Sequence, residues 1–99
     1  MGESDDTVLS RIISGSLPSW LRRRAFTIPP RTAHAYDEAE WRDALVIVER
    51  GSVDIEGRSG RRLRLEAGAL LSLTHLSIKA LHNVGEEPLV LIVISRRTA

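Results

Sequence analysis

The chain of 99 residues contains no cysteine, and Lys79 is its only lysine. The absence of cysteine excludes disulfides, thiolate zinc sites, iron–sulfur clusters and cysteine nucleophiles, and it permits a reducing compartment. Aromatic residues are few: two tryptophans, one tyrosine and one phenylalanine. No apolar run approaches the ~20 residues that span a bilayer, and the N-terminal segment is acidic and polar, unlike a secretory signal. We therefore expect a cytoplasmic protein with no membrane partner.

The charge balance does not indicate a particular class of binding partner. The 14 basic and 13 acidic residues leave a formal net charge of +1, far from the strongly basic surface that nucleic-acid binding requires, so no nucleic-acid partner is expected. Arg62 and Arg64 alternate with Leu63 and Leu65. This alternation favours the solvated face of a half-buried strand over an anion-binding patch.

The N-terminal segment differs from the rest of the chain in the spacing of its apolar residues. Val8, Leu9, Ile12 and Ile13 fall on one side of a helix over residues 7–14. We predict that residues 1–21 form a helix and turn appended to a β-barrel domain of residues 22–99. Trp20 is expected to anchor this appendage because a large aromatic ring contributes much buried area.

From Ala44 onward, short apolar runs alternate with glycine-containing turns at intervals of ~8 to 12 residues, which is typical of an all-β sandwich or barrel. The runs 44–48 and 89–94 are apolar at both strand parities. Both of their faces should therefore be covered, either because the strands are central or because the N-terminal helix or a second subunit hides the outer face. Arg50 and Gly51 predict a tight hairpin turn.

Several segments resemble the cupin superfamily: the run from Leu45 to Ile55, residues 61–69, and the run from Leu81 to Leu89. Gly51 is similar to the closing glycine of the first cupin motif, and Gly68 and Asn83 are similar to anchoring residues of the second. The resemblance implies an all-β fold, a small cupin-type double-stranded β-helix or jelly-roll barrel, with the short N-terminal helix added.

The same resemblance implies where a metal would bind, and the ligand residues are changed. The first-motif glutamate falls on Ala44 and its histidine pair on about Asp37 and Ala39, while the second-motif histidine falls on Lys79. A protonated lysine offers no lone pair to a cation. The resemblance thus implies a metal-free barrel with no cofactor, in which Lys79 excludes a cation if it faces the interior.

A relocated metal site is the main alternative. His34 and Glu40 imitate a shifted version of the ligand spacing, with His82 or His75 as a third nitrogen ligand. Such a site would make the protein a metal-dependent enzyme of the oxygenase or isomerase type. Scattered histidines are the simpler interpretation, and no order of serine, histidine and acid points to another catalytic site.

The preferred prediction is a metal-free cupin-like protein without catalytic activity that binds a small organic ligand or serves as a structural, dimerising module. A ligand would place an acidic group against Lys79, with Tyr36, Ser77 and Trp41 as wall residues, although Trp41 is more simply an apolar plug. Two-sided apolarity in so short a chain predicts a homodimer. A regulatory sensor that acts through a partner chain is a further alternative, since the chain has no helix-turn-helix segment.

Overall fold

The computed structural model of the protein describes residues 18–41, 43–73 and 76–96, without the side chain of Glu40. The predicted helix over residues 7–14 lies outside the described residues. The described elements are β1 (Leu21–Ile28), β2 (Thr32–Ala35), α1 (Glu38–Trp41), β3 (Leu45–Arg50), β4 (Ser52–Gly57), β5 (Arg62–Glu66), β6 (Leu70–Ser72), β7 (Ile78–Asn83) and β8 (Leu89–Arg96). Within the described ranges, no helix has the length and apolarity that a membrane crossing requires.

The strands form two four-stranded sheets, a first sheet in the order β1-β8-β3-β6 and a second sheet in the order β2-β7-β4-β5. All strand pairs are antiparallel. Of the strands described, only β4 and β5 are neighbours both in sequence and in a sheet, so every other connection between consecutive strands crosses from one sheet to the other. Two facing sheets wound in this way are a jelly roll. The predicted all-β jelly-roll class is confirmed.

The connection at Gly51 is not the hairpin turn that the sequence predicted. Strand β3 pairs with β6 and β8, whereas β4 pairs with β5 and β7, so the chain changes sheets at Gly51. Gly51 has a φ of 86°, and a Cβ atom there would lie 3.3 Å from the carbonyl oxygen of Pro88. The glycine is needed for the left-handed backbone and for this close approach rather than for a hairpin.

The core lies between the two sheets. Its fully buried members include aliphatic side chains from both sheets and Trp41. Strands β3 and β8 occupy the centre of the first sheet, as their two-sided apolarity predicted. On the outer face of that sheet, Ile47, Ile92 and Ile94 are at most 6% exposed in the single chain. A second copy is therefore not needed to hide these three side chains.

Strand β1 begins at Leu21, the last residue of the predicted N-terminal appendage. Trp20 is 60% exposed and so is not the buried anchor that we expected. The backbone N–H of Leu21 donates to the carbonyl oxygen of Pro18 at 3.0 Å, and this turn immediately before β1 leaves the Trp20 ring in solvent.

Candidate functional site

Four rings, those of Phe26, His34, Tyr36 and Trp41, close the barrel interior where β1, β2 and α1 meet, and we call them the aromatic plug. Trp41 is fully buried, with its ring centroid 5.2 Å from that of Phe26 and 6.4 Å from that of Tyr36. The guanidinium carbon of Arg24 lies 5.4 Å from the Trp41 centroid, within cation–π range. The plug thus joins apolar packing to one cationic contact.

Local geometry explains why Trp41 points inward. The Asp37 side chain accepts the N–H of Ala39 at 3.0 Å, and the Asp37 carbonyl accepts the N–H of Trp41 at 3.1 Å. These bonds start the single turn of α1, and the N–H of Ala44 then donates to the carbonyl of Trp41 at 3.0 Å before β3 begins. The chain reverses tightly around the indole. Burial raises the pKa of the neighbouring Tyr36, and nearby acidic residues raise it further.

Lys79 lies outside the barrel, so the condition that it faces the interior is not met. Its side chain is 67% exposed, with Nζ 3.8 Å from Oε2 of Glu56. The pairing register passes from Glu56–Ala80 to Gly57–Ile78, which makes Lys79 the extra residue of a β-bulge. A bulge breaks the inside–outside alternation, so the strand pattern alone does not decide which side this lysine faces.

The four predicted ligand-binding residues, Lys79 and the three wall residues, are not brought together. Trp41 and Tyr36 belong to the aromatic plug, with Trp41 fully buried. Lys79 and Ser77 are exposed, and the carbonyl of Ser77 accepts the N–H of Arg58 at 3.1 Å. A ligand that touches all four would have to contact both sides of the second sheet.

The relocated metal site loses one of its proposed ligands. His34 pairs with Leu81 and points to the interior, whereas His82 pairs with Ala33 and points to the outer face of the second sheet. Neighbouring residues of a strand face opposite sides, so these two histidines cannot bind the same ion. His75 and the side chain of Glu40 lie outside the described part of the chain. Among the described residues, no three histidine, cysteine or acidic side chains cluster as a metal site.

The positions that resemble the cupin ligand positions do not fit a cation either. Ala44 is buried and has no donor atom, and Ala39 is exposed. The Asp37 carboxylate caps the start of α1, and Lys79 is outside the barrel. A bound metal needs lone pairs that converge on one point at ~2 Å. The residues at these positions therefore do not fit the metal of a cupin enzyme.

Asn83, which the sequence matched to the second cupin motif, has a structural role. It is 3% exposed. Its side-chain N–H₂ donates to the carbonyls of Ile28 at 3.0 Å and Glu87 at 2.8 Å, and its side-chain oxygen accepts the N–H of Gly85 at 3.0 Å. One buried amide thus joins the end of β1 to the loop between β7 and β8.

A charged network covers the outer face of the second sheet. Asp54 accepts from Nε of Arg64 at 2.7 Å, and Oε1 of Glu56 lies 2.8 Å from Nε2 of His82. Arg62 lies 3.9 Å from both carboxylates. The hydrogen bond from Arg64 is the largest cause that lowers the pKa of Asp54, and the one with His82 is the largest that lowers the pKa of Glu56. The arginine alternation correctly predicted this strand face but not its pairing partners.

A groove of about 470 Å³ opens on the same outer face beside His82. We call it the outer groove, and its lining residues are Arg31, Thr32, Ala33, His82, Asn83, Val84 and Glu86. Arg31 and Glu86 form an ion pair across its rim. No local sequence pattern predicts this ion pair, because the two partners are 55 positions apart and each lies in a loop.

Comparisons with known proteins agree with the architecture. No protein-family model matches the chain, and no curated protein matches it. It is similar to the crystal structure of a cupin-2 domain containing protein from Shewanella frigidimarina, with 16% identity, a TM-score of 0.54, and 84% of this chain and 76% of that chain covered. A protein from Neisseria meningitidis has 10% identity and a TM-score of 0.56 over 98% of this chain and all of its own. The chain therefore has a cupin-like jelly-roll fold.

Proposed function

We propose that this protein is a metal-free cupin-like module without catalytic activity, whose barrel interior is a packed core and whose outer surface binds other molecules. The observation that carries the proposal is the complete burial of Trp41 in the barrel core. A metal or substrate at that place would have to displace the indole from its contacts with Phe26 and Tyr36.

The chemistry of the interior supports the same function. The two polar side chains that are buried among the described residues are Asp54 and Asn83. Asp54 points to the charged network on the outer face. The side-chain amide of Asn83 is hydrogen-bonded to three backbone groups. Catalysis needs polar groups that are free to contact the reacting atoms. His34 is the remaining titratable ring of the interior besides Tyr36 in the described chain, and it packs edge-on against Phe26.

The proposal includes a homodimer. Two apolar side chains of the first sheet or of the residues just before it are exposed: Leu70, which pairs in register with the buried Ile47, is 50% exposed, and Trp20, which precedes β1, is 60% exposed. Apolar side chains of this size gain free energy when a partner removes them from water. A second copy of the chain would supply such a partner.

Elemental analysis of protein purified without chelator tests the absence of a metal. We expect far less than one transition-metal ion per chain, both in the natural sequence and in the His34→Gln variant. One ion per chain that is lost in His34→Gln and retained in the matched control His82→Gln would overturn the proposal. That result would support a relocated metal site that includes His34, which the enzyme alternative requires.

A further inference from the structure

We propose that the outer groove binds a small organic hydroxycarboxylate, with the carboxylate on Arg31 and the hydroxyl on His82. This inference rests on the proposed function in that the ligand binds outside the barrel. It assigns the site and the chemical class of the ligand.

A small side chain lies beside His82 in the floor of the groove. On the outer face, Ala33 pairs with His82, and both residues line the groove. No large side chain from β2 therefore covers the imidazole, and the ring faces the groove. Val84, which is 47% exposed, supplies an apolar wall. This floor suits the flat carbon skeleton of a small organic acid.

His82 is held in place on one side and open on the other. Its Nε2 lies 2.8 Å from Oε1 of Glu56, and its side chain is 19% exposed. A carboxylate accepts hydrogen bonds, so the tautomer that fits Glu56 has its proton on Nε2, and Nδ1 of that tautomer presents a lone pair. Within the described residues, Nδ1 has no hydrogen-bond partner. A ligand hydroxyl donating to Nδ1 fits this tautomer, whereas a bare carboxylate does not.

Arg31 supplies the site for the charged group. Its guanidinium already contacts the Glu86 carboxylate, and both side chains are more than 70% exposed. A guanidinium accepts a carboxylate through two parallel hydrogen bonds. The Arg31 backbone has a φ of 56°, a left-handed conformation that arginine rarely adopts, and it directs this residue to the groove rim. Glu86 thus occupies the place of the ligand carboxylate and competes with it.

The competition between Glu86 and the ligand carboxylate predicts that removing Arg31 and removing Glu86 change the affinity in opposite directions. Removing Arg31 as Arg31→Gln should weaken binding about tenfold or more, the usual effect of losing a charge-assisted hydrogen bond. Removing the competitor as Glu86→Gln should tighten binding about twofold to fivefold, as expected for releasing an exposed ion pair. His82→Gln should abolish the preference for a hydroxylated ligand over its deoxy analogue.

An NMR titration of the ¹⁵N-labelled protein with 3- and 4-hydroxybenzoate tests these effects. Two matched probes each lack one group: benzoate lacks the hydroxyl, and 4-hydroxybenzamide lacks the negative charge. We expect saturable shifts at Ala33, His82 and Val84 for at least one hydroxybenzoate, and weaker binding of both matched probes. Arg58→Gln, which removes an exposed arginine of the β4–β5 turn, should leave the affinity unchanged.

Three outcomes would overturn the inference: no saturable shifts in the groove at tens of millimolar probe, equal weakening by Arg31→Gln and Arg58→Gln, or weaker binding in Glu86→Gln. Shifts confined to the indole N–H of Trp41 would place the ligand in the barrel interior, and they would overturn the proposed function as well. The absence of any binding would remove the groove site and leave the elemental analysis to decide the function.

Discussion

Replacing Trp41 by phenylalanine tests whether the barrel interior is a packed core. Trp41 is 0% exposed and contacts the Phe26 and Tyr36 rings and the Arg24 guanidinium. Truncating a buried tryptophan to alanine costs about 3–5 kcal/mol, against a total stability of about 5–15 kcal/mol for a typical domain. Because the alanine variant can leave too little stability to measure, Trp41→Phe is the better perturbation. It keeps one ring and removes part of the indole.

The expected loss follows from the packing. A partial truncation in a core that cannot collapse costs about 1–2 kcal/mol, and weakening the cation–π contact with Arg24 adds to the loss. For a domain of this length, about 1 kcal/mol corresponds to about 4–8 °C in melting temperature. Trp41→Phe should therefore lower the melting temperature by about 5–15 °C.

Urea unfolding followed by circular dichroism measures this loss. If the free energy of unfolding depends on urea concentration with the same slope in both proteins, the unfolded state is the same. The chain offers a matched control in its other tryptophan. Trp20 is 60% exposed, so Trp20→Phe should change the free energy of unfolding by no more than about 0.5 kcal/mol. If both variants lose the same small amount, the indole of Trp41 does not fill the interior and the proposed closed barrel is refuted.

The remaining predictions concern the outer network, the sheet crossing and the assembly. Hydrogen bonds and ion pairs hold the pKa values of Asp54 and Glu56 below their ordinary 3.8 and 4.5. Both carboxylates therefore stabilise the fold at pH values above these ordinary pKa values. The stabilisation is lost as the pH falls through their lower folded-state pKa values. Urea midpoints should accordingly fall less steeply between about pH 5 and pH 2 in Asp54→Asn than in the natural sequence, and parallel curves would contradict this. Gly51→Ala should lower the free energy of unfolding by about 1 kcal/mol more than Gly60→Ala. Both glycines have a positive φ, but only at Gly51 would a Cβ atom lie within 4 Å of other backbone atoms. Equal denaturation midpoints for the two variants would show that the chain is not tightly packed where it changes sheets at Gly51. Light scattering should give about twice the 11.0 kDa chain mass, with Leu70→Glu shifting the particle to the monomer, and a monomer at high concentration in the natural sequence would rule out the dimer.

Much of the fold could be predicted because its signals are local. Val53 and Ile55 alternate with the outward Asp54 and Glu56, and this period of two identified β4 and the side that it buries. Strand β2 was missed, since its residues Thr32–Ala35 are mostly alanine and histidine and carry no strand signal. It is held by pairing with β7, a contact between distant parts of the chain.

The candidate sites depended on register, which local patterns do not contain. Alternation says that neighbours such as Ala33 and His34 face opposite sides, but not which side is the interior. One extra residue in β7 moved Lys79 to the surface. The pairing of Arg31 with Glu86 likewise required the first and last thirds of the chain to meet.

The amino-acid sequence by itself predicted most of the strands and the two-sided burial of β3 and β8, because both follow from residue type and short-range periodicity. The resemblance to cupins implied that the metal-ligand positions are changed. Only the tertiary structure decided that Gly51 joins two sheets, that His34 and His82 lie on opposite faces, and that Trp41 fills the interior. The physical reason is that strand pairing and packing are set by free energies summed over residues far apart in the chain, and a single bulge reverses the face that a side chain occupies.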